Sequence, residues 1–228
     1  MKQVFITIMM LAVGHLCLHA QKTVQGTVEY DYTITGEGSE MMAGMMPEKM
    51  VMIYGTDAIL MYMEGGMMGA MMGKVVSKKD EGYVIKEDQK TIYIMSEEDM
   101  KNAQAQMENI GEMEKVEGEQ KEILGYTCEL YTMEVTQQGQ KATQRLWITK
   151  DLKAPEVKGA GALMNQSAMA GLSMDGFPLE IETAIPNTDI KMVMTVSNMK
   201  MEKPDPTVFE KPSDFKEKPF SEMMMGGN

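Results

Sequence analysis

The sequence predicts a mainly β protein, a β-rich α+β chain built on a mostly antiparallel sheet. Short runs of alternating apolar and polar residues recur along it, as in Val28, Tyr30, Tyr32 and Ile34. Turn residues separate these runs at regular intervals, among them Gly36, Gly38, Gly55 and Gly139. Helix signals are few: one opens at Ser96, and a second, small and apolar, covers 159–171.

Residues 1–20 read as a cleaved signal peptide. Lys2 supplies the positive start, Val4 to Val13 is apolar except for Thr7, and Leu18-His19-Ala20 puts a small residue at the cleavage edge. The apolar run is too short to span a bilayer comfortably, so no transmembrane span is expected after cleavage. An uncleaved anchor or a buried helix is one alternative. A lipoprotein signal at Cys17 is another, weakened by Gly14-His15-Leu16 where small residues are wanted. Cleavage before Gln21 implies a periplasmic or secreted protein. It removes His15, His19 and Cys17, leaving Cys128 as the one cysteine and no histidine.

The rest reads as one β-rich domain over 21–202 and a Pro- and charge-rich segment over 203–228. The first strand is 26–35. Met-rich loops are expected at 39–50, where one poor helical turn is the alternative for 39–46, and at 64–73, which reads Gly-Gly-Met-Met-Gly-Ala-Met-Met-Gly from Gly65. Between them, 49–54 and 58–64 form a hairpin about Gly55-Thr56-Asp57 with both faces apolar. Strands follow at 74–77, 83–86 and 91–95. A helix capped by Ser96 runs over 96–109, and 112–121 is charged but extended.

A long hairpin over 121–152 then holds the single Trp147, the single Arg145 and Cys128, and is expected at the centre of the sheet. A short helix fits 159–171, and final strands fit 178–183 and 189–199. Phe209 and Phe215 stand as isolated anchors in 204–220, and the Met-Gly tail is expected to be disordered.

Composition excludes several functions. The formal net charge is −12, and more negative once Lys2 is lost, which repels phosphate backbones and argues against nucleic acid as partner. Without histidine there is no triad base and no zinc site. The glycines before Lys74 are not a phosphate loop, because Met68 stands where that motif needs glycine and Val75 where it needs Ser or Thr. Cys128 has no basic neighbour or helix N-terminus to activate it, so a buried inert thiol is the expectation. The acid pairs Glu97/Glu98 and Asp80/Glu81 sit in polar context and read as solvated. Composition leaves a carboxylate-only glycosidase open, but a single Trp and few Phe are sparse for a sugar cleft, so no enzyme is expected.

Methionine is the unusual feature, with 30 in the chain. Met41, Met42, Met45 and Met46 form one Met-Met-x-x-Met-Met block, and Met67, Met68, Met71 and Met72 form a second with the same spacing. Met50/Met52, Met61/Met63 and Met192/Met194 are Met-x-Met pairs, whose members share one face of a strand. Three readings stay open. Thioethers are soft ligands for Cu(I) or Ag(I), so the two blocks are candidate metal ligands. The strand pairs are candidates for an adaptable apolar ligand face. The third reading is methionine standing in for leucine in core and loop, with oxidation buffering as a by-product.

The segments from Glu122 to Tyr131 (Glu-Ile-Leu-Gly-Tyr-Thr-Cys-Glu-Leu-Tyr), from Leu146 to Leu152 (Leu-Trp-Ile-Thr-Lys-Asp-Leu) and from Thr207 to Phe215 resemble a family of secreted Gram-negative envelope proteins that carries only the label of a domain of unknown function. That family is similar in architecture to the lipoprotein carriers LolA and LolB. The resemblance implies a curved antiparallel half-barrel with helices across its concave side, able to hold an acyl chain. No catalytic residue and no cofactor carries over.

The expectation is therefore a non-enzymatic envelope protein that binds an apolar ligand or an envelope protein partner. Met50, Met52, Met61, Met63, Met192 and Met194 would line the concavity, with 159–171 as a small lid. The alternative is a soft-metal or oxidant-buffering protein with Cu(I) held by the two blocks.

Overall fold

The computed structural model describes residues 21–101, 111–137, 140–155 and 175–224. The signal segment, most of the expected helix 96–109, the expected lid 159–171 and the last tail residues lie outside the described residues. Of the Ser96 helix, the first turn is present: the Ser96 hydroxyl accepts from Asp99 N at 3.1 Å, and the Asp99 carboxylate accepts from Ser96 N at 2.8 Å.

The first half of the chain supplies β1 (Lys22–Thr23), β2 (Gly26–Thr35), α1 (Ser39–Ala43), β3 (Lys49–Tyr54), β4 (Ala58–Glu64), α2 (Gly66–Met72), β5 (Lys74–Lys78), β6 (Gly82–Lys86) and β7 (Thr91–Ile94). The second half supplies β8 (Glu114–Ile123), β9 (Tyr126–Gln137), β10 (Gln140–Thr149), β11 (Leu152–Lys153), β12 (Phe177–Ala184), β13 (Lys191–Lys200), a 3-10 turn (Pro206–Phe209), β14 (Lys216–Pro219) and α3 (Phe220–Met224). Twelve strands form one curved, open sheet in the order β14, β7, β6, β5, β4, β3, β2, β13, β12, β10, β9, β8. Every pair is antiparallel except β14–β7. β1 and β11 make a small parallel pair that buries Val24 and Leu152. No helix among the described residues is long and apolar enough to cross a membrane.

The β9–β10 hairpin forms in continuous register from Cys128↔Thr149 to Gln137↔Gln140. It does not lie at the centre of the sheet. It stands beside the β8 edge, and the middle belongs to β3, β2 and β13. The reason is topological. Hairpins accumulate outward from each half of the chain, and the seam that joins the halves is β2 with β13, a long-range pairing that no local pattern reports.

Both edges are blunted against further pairing. β8 carries Glu114, Lys115, Glu117, Glu119, Lys121 and Glu122, and its register with β9 breaks between Lys115 and Gln120, around Gly118 at φ 83°. β14 reads Lys-Glu-Lys-Pro and is wholly exposed. The β8–β9 turn is two residues, Leu124 at φ 50° and Gly125 at φ 81°, the sign pattern of a type I′ turn.

The two faces of the sheet carry separate apolar clusters. The larger includes Val28, Tyr30, Met50, Met52, Tyr54, Met61, Val75, Val84, Tyr93, Leu146, Ile181, Met194 and Val196. The smaller lies behind β4–β7 and gathers Leu60, Val76, Tyr83, Ile85 and Ile92 around Phe209, with Phe215 against it. This is why the 49–64 hairpin is apolar on both faces. The segment beyond 202 crosses there as a strap. Asp205 opens its 3-10 turn by accepting from Thr207 N at 2.9 Å, which holds the carboxyl below its ordinary range. The Tyr83 hydroxyl donates to the Phe209 carbonyl, and Lys211 pairs with Glu81 at 2.6 Å above the Tyr83 ring.

Segment 64–73, expected as a loop, carries α2. Glycine and alanine make this a poor helix on its own, and tertiary contacts override that propensity. Gly69 lies so close to β4 that a Cβ there would come within 3.1 Å of the Met63 carbonyl. The Lys86 ammonium donates to the carbonyls of Ala70 at 3.2 Å and Met71 at 2.8 Å, closing the C-terminal end. In segment 39–50, α1 takes the single-turn alternative.

Candidate ligand-binding face

Residues paired across a sheet point to the same side, so the register identifies one methionine-rich face. One row runs Val28, Met52, Met61, Val75, Val84, Tyr93 across β2 to β7. A second runs Val196, Tyr30, Met50, Met63. A third runs Tyr32, Met194, Ile181, Leu146, Tyr131, and a fourth Ile34, Met192, Thr183, Gln144, Met133. All six strand methionines singled out in the sequence therefore lie on one face of the sheet, carried by three strands, β4, β3 and β13.

They are not, however, an open lining. Met50, Met52, Met61 and Met194 are 0, 1, 1 and 2% exposed, while Met63 and Met192 are half-buried. Tyrosines set among them were not foreseen as part of the face. The Tyr54 hydroxyl donates to Met52 Sδ at 3.1 Å and the Tyr32 hydroxyl approaches Met50 Sδ at 3.9 Å, while Tyr30 donates to the Pro178 carbonyl at 3.0 Å. Burial raises the pKa of all three phenols, which therefore stay neutral donors. Tyr30 and Tyr32 were signalled by their alternation with polar residues in β2, whereas Tyr54 ends the continuous apolar run of β3 and carried no such signal.

Among the described residues, short helical elements pack on this cluster: Met72 of α2, and Phe220 and Met223 of α3. α2 buries no residue of its own, has Gly65 and Gly73 at its ends and makes no side-chain N-cap. Its anchor is Lys86, whose side chain is 7% exposed, with Asp88 at 3.8 Å. Lys86 shares the strand phase of Val84. A lysine on the apolar phase of a strand was the available sign that it serves the interior.

The two Met-Met-x-x-Met-Met blocks meet. Met68 N donates to the Met45 carbonyl at 3.0 Å, and Gly66 sits against the Met46 carbonyl. Met41 and Met42 lie in α1, and Met67, Met68, Met71 and Met72 in α2. Met45, Met67 and Met71 are 46, 54 and 64% exposed, and Met42, Met46, Met68 and Met72 are half-buried. No group of three or more His, Cys, Asp or Glu that would hold a metal ion exists among the described residues.

Cys128 is buried and free, and burial pushes its thiol up to about 11. The Lys121 ammonium lies 4.4 Å from the Trp147 ring centroid and 2.5 Å from Glu180. Lys121, opposite Cys128 in register, is a basic neighbour that the sequence did not reveal, and burial of the thiol outweighs its effect.

The structure is similar to PNGF-II, with TM-score 0.50 and 16% identity over 88% of this chain and 33% of that one, so the chain spans about a third of that protein. At this identity the likeness is one of fold. The Mycobacterium tuberculosis lipoprotein LppX is similar at TM-score 0.36 and 9% identity, over 79% of this chain and 89% of its own. A LolA superfamily protein from Nitrosomonas europaea is similar at TM-score 0.31 and 10% identity, over 85% of this chain and 94% of its own. No curated protein matches the chain in sequence. The model of the family described as Domain of unknown function (DUF4412) matches residues 25–215, and the chain belongs to that family.

Proposed function

We propose that this protein is a non-enzymatic envelope protein that takes an apolar ligand, a lipid acyl chain, on its methionine face. The observation that carries the reading is the pairing of a broad, buried, methionine-rich face with a weak cover. Methionine side chains re-pack around varied apolar shapes at little cost. α2 adds no buried residue, so its displacement exposes little of its own surface, and it lies at the low end of local stability. The ligand enters by displacing α2 and α3, with Met50, Met52, Met61 and Met194 lining the floor and Met63 and Met192 its margin. The buried tyrosines give polar contacts without a charged group, and the negative surface keeps the carrier soluble. Residues 1–20 would deliver it to the periplasm or outside the cell.

The test is titration with a fluorescent long-chain fatty acid. Wild type should bind saturably. Met63→Lys and Met192→Lys, at half-buried positions that tolerate a charge, should bind far more weakly while keeping the wild-type circular dichroism spectrum. Lack of saturable binding by wild type, or equal binding by both folded variants, would sink the reading.

A further inference from the structure

We propose that the two methionine blocks together form one thioether site for a soft monovalent cation, Cu(I) or Ag(I). The blocks are 26 residues apart in sequence, Met41 to Met67, yet the fold joins them. α1 leads into β3 and α2 follows β4, so the β3–β4 hairpin brings both to one end of the sheet. Their main chains then touch, through Met68 N to the Met45 carbonyl at 3.0 Å and through Gly66, where a Cβ would overlap the Met46 carbonyl at 2.0 Å. Gly66 is thus required for the blocks to meet.

Packing does not account for the outermost side chains. Met45, Met67 and Met71 are 46, 54 and 64% exposed, three of the five large apolar side chains most open to water among the described residues. Leaving such groups in water is unfavourable compared with Lys or Glu at the same positions. In α2, Met67 and Met71 are four residues apart and so share a helix face, and Met45 lies in the turn whose carbonyls abut Gly66. Each offers a neutral sulfur on a freely rotating stem. Neutral thioethers suit a soft ion of single charge, and the protein's negative charge attracts cations. Among the described residues no carboxylate or imidazole cluster stands ready for a harder ion.

The experiment uses Ag(I) as probe on the purified protein. Native mass spectrometry counts bound ions, and two-dimensional NMR follows the methionine ε-methyl signals. A single ion per chain is expected, with shifts at Met45, Met67 and Met71 and none at Met50 or Met52. The triple variant M45L/M67L/M71L keeps apolar volume and exposed position, so its fold should persist by circular dichroism. It should lose the bound ion. The proposal is overturned if wild type binds no Ag(I) saturably, if the shifts fall on the buried strand methionines, or if the folded triple variant binds as wild type does. Acyl-chain binding is read separately by the fatty-acid titration, so either idea can fail alone.

Discussion

Removing the Phe209 ring should cost the protein a large share of its stability. The ring is 6% exposed and closes the smaller cluster against Leu60, Val76, Tyr83, Ile85 and Ile92. It lies where a Gly55 Cβ would come within 2.9 Å of it, so the β3–β4 turn has no side chain there to fill the gap. A buried aromatic of about 150–200 Å² at ~25 cal/mol per Å² corresponds to roughly 4–5 kcal/mol. Phe→Ala substitutions in cores give about 3–5 kcal/mol, cavity included. Phe209→Ala should therefore lower the unfolding free energy by ~4 kcal/mol, a drop in Tm on the order of 10 °C for a domain of this size. Urea denaturation followed by Trp147 fluorescence measures it. A change below about 1 kcal/mol would refute the claim that the C-terminal strap completes this core.

Leu124 sits at φ 50° and is 49% exposed, so Leu124→Asn should relieve left-handed strain and stabilise by roughly 1 kcal/mol; a lower urea midpoint would contradict the type I′ assignment. Native Cys128 should react slowly with a disulfide reagent at pH 8 and fully in urea, and prompt reaction of folded protein would contradict its burial. Because the folded thiol pKa is raised from 9.0 to about 11, its contribution to stability is complete below the lower value and lost as pH rises through the upper one. Lys86→Met removes charged donors to Ala70 and Met71, each hydrogen bond being worth about 1.5–3 kcal/mol. Amide exchange over 66–72 should accelerate by roughly tenfold or more while β3 and β4 stay protected, and unchanged exchange would remove Lys86 as the anchor of α2.

How far the sequence reaches can be judged from particular elements. The strands were legible because alternation is local: β2, the 49–64 hairpin, β9 and β10 fall close to their expected bounds. Their order was not, because the β2–β13 seam joins residues far apart in the chain and leaves no periodic trace. α2 was hidden for a related reason. Gly-Met-Met-Gly-Ala-Met-Met carries no cap and little propensity, and its helicity is borrowed from Lys86 on another strand and from close contact with β4. The methionine face was half legible. Met-x-Met spacing gave the shared face, but the depth of burial depends on what packs over it, and that is tertiary information.

Between the sealed and the most exposed of the described methionines lies a difference that a single explanation does not cover. In Met50, Met52, Met61 and Met194 the side chain is sealed, and there methionine acts as leucine would, with more freedom to re-pack. Substitution drift toward methionine accounts for these without any ligand. It does not account for Met45, Met67 and Met71, which face water where leucine would be equally unfavourable and a polar residue preferable. The second group also sits where two separate segments have been brought into backbone contact, at a glycine that tolerates no side chain. A pattern repeated in sequence, joined in space and held open to solvent is what the proposed soft-metal site requires, so the exposed blocks are where the soft-metal experiment has its force. The acyl-chain experiment has its own at Met63 and Met192, the half-buried margin of the sealed group.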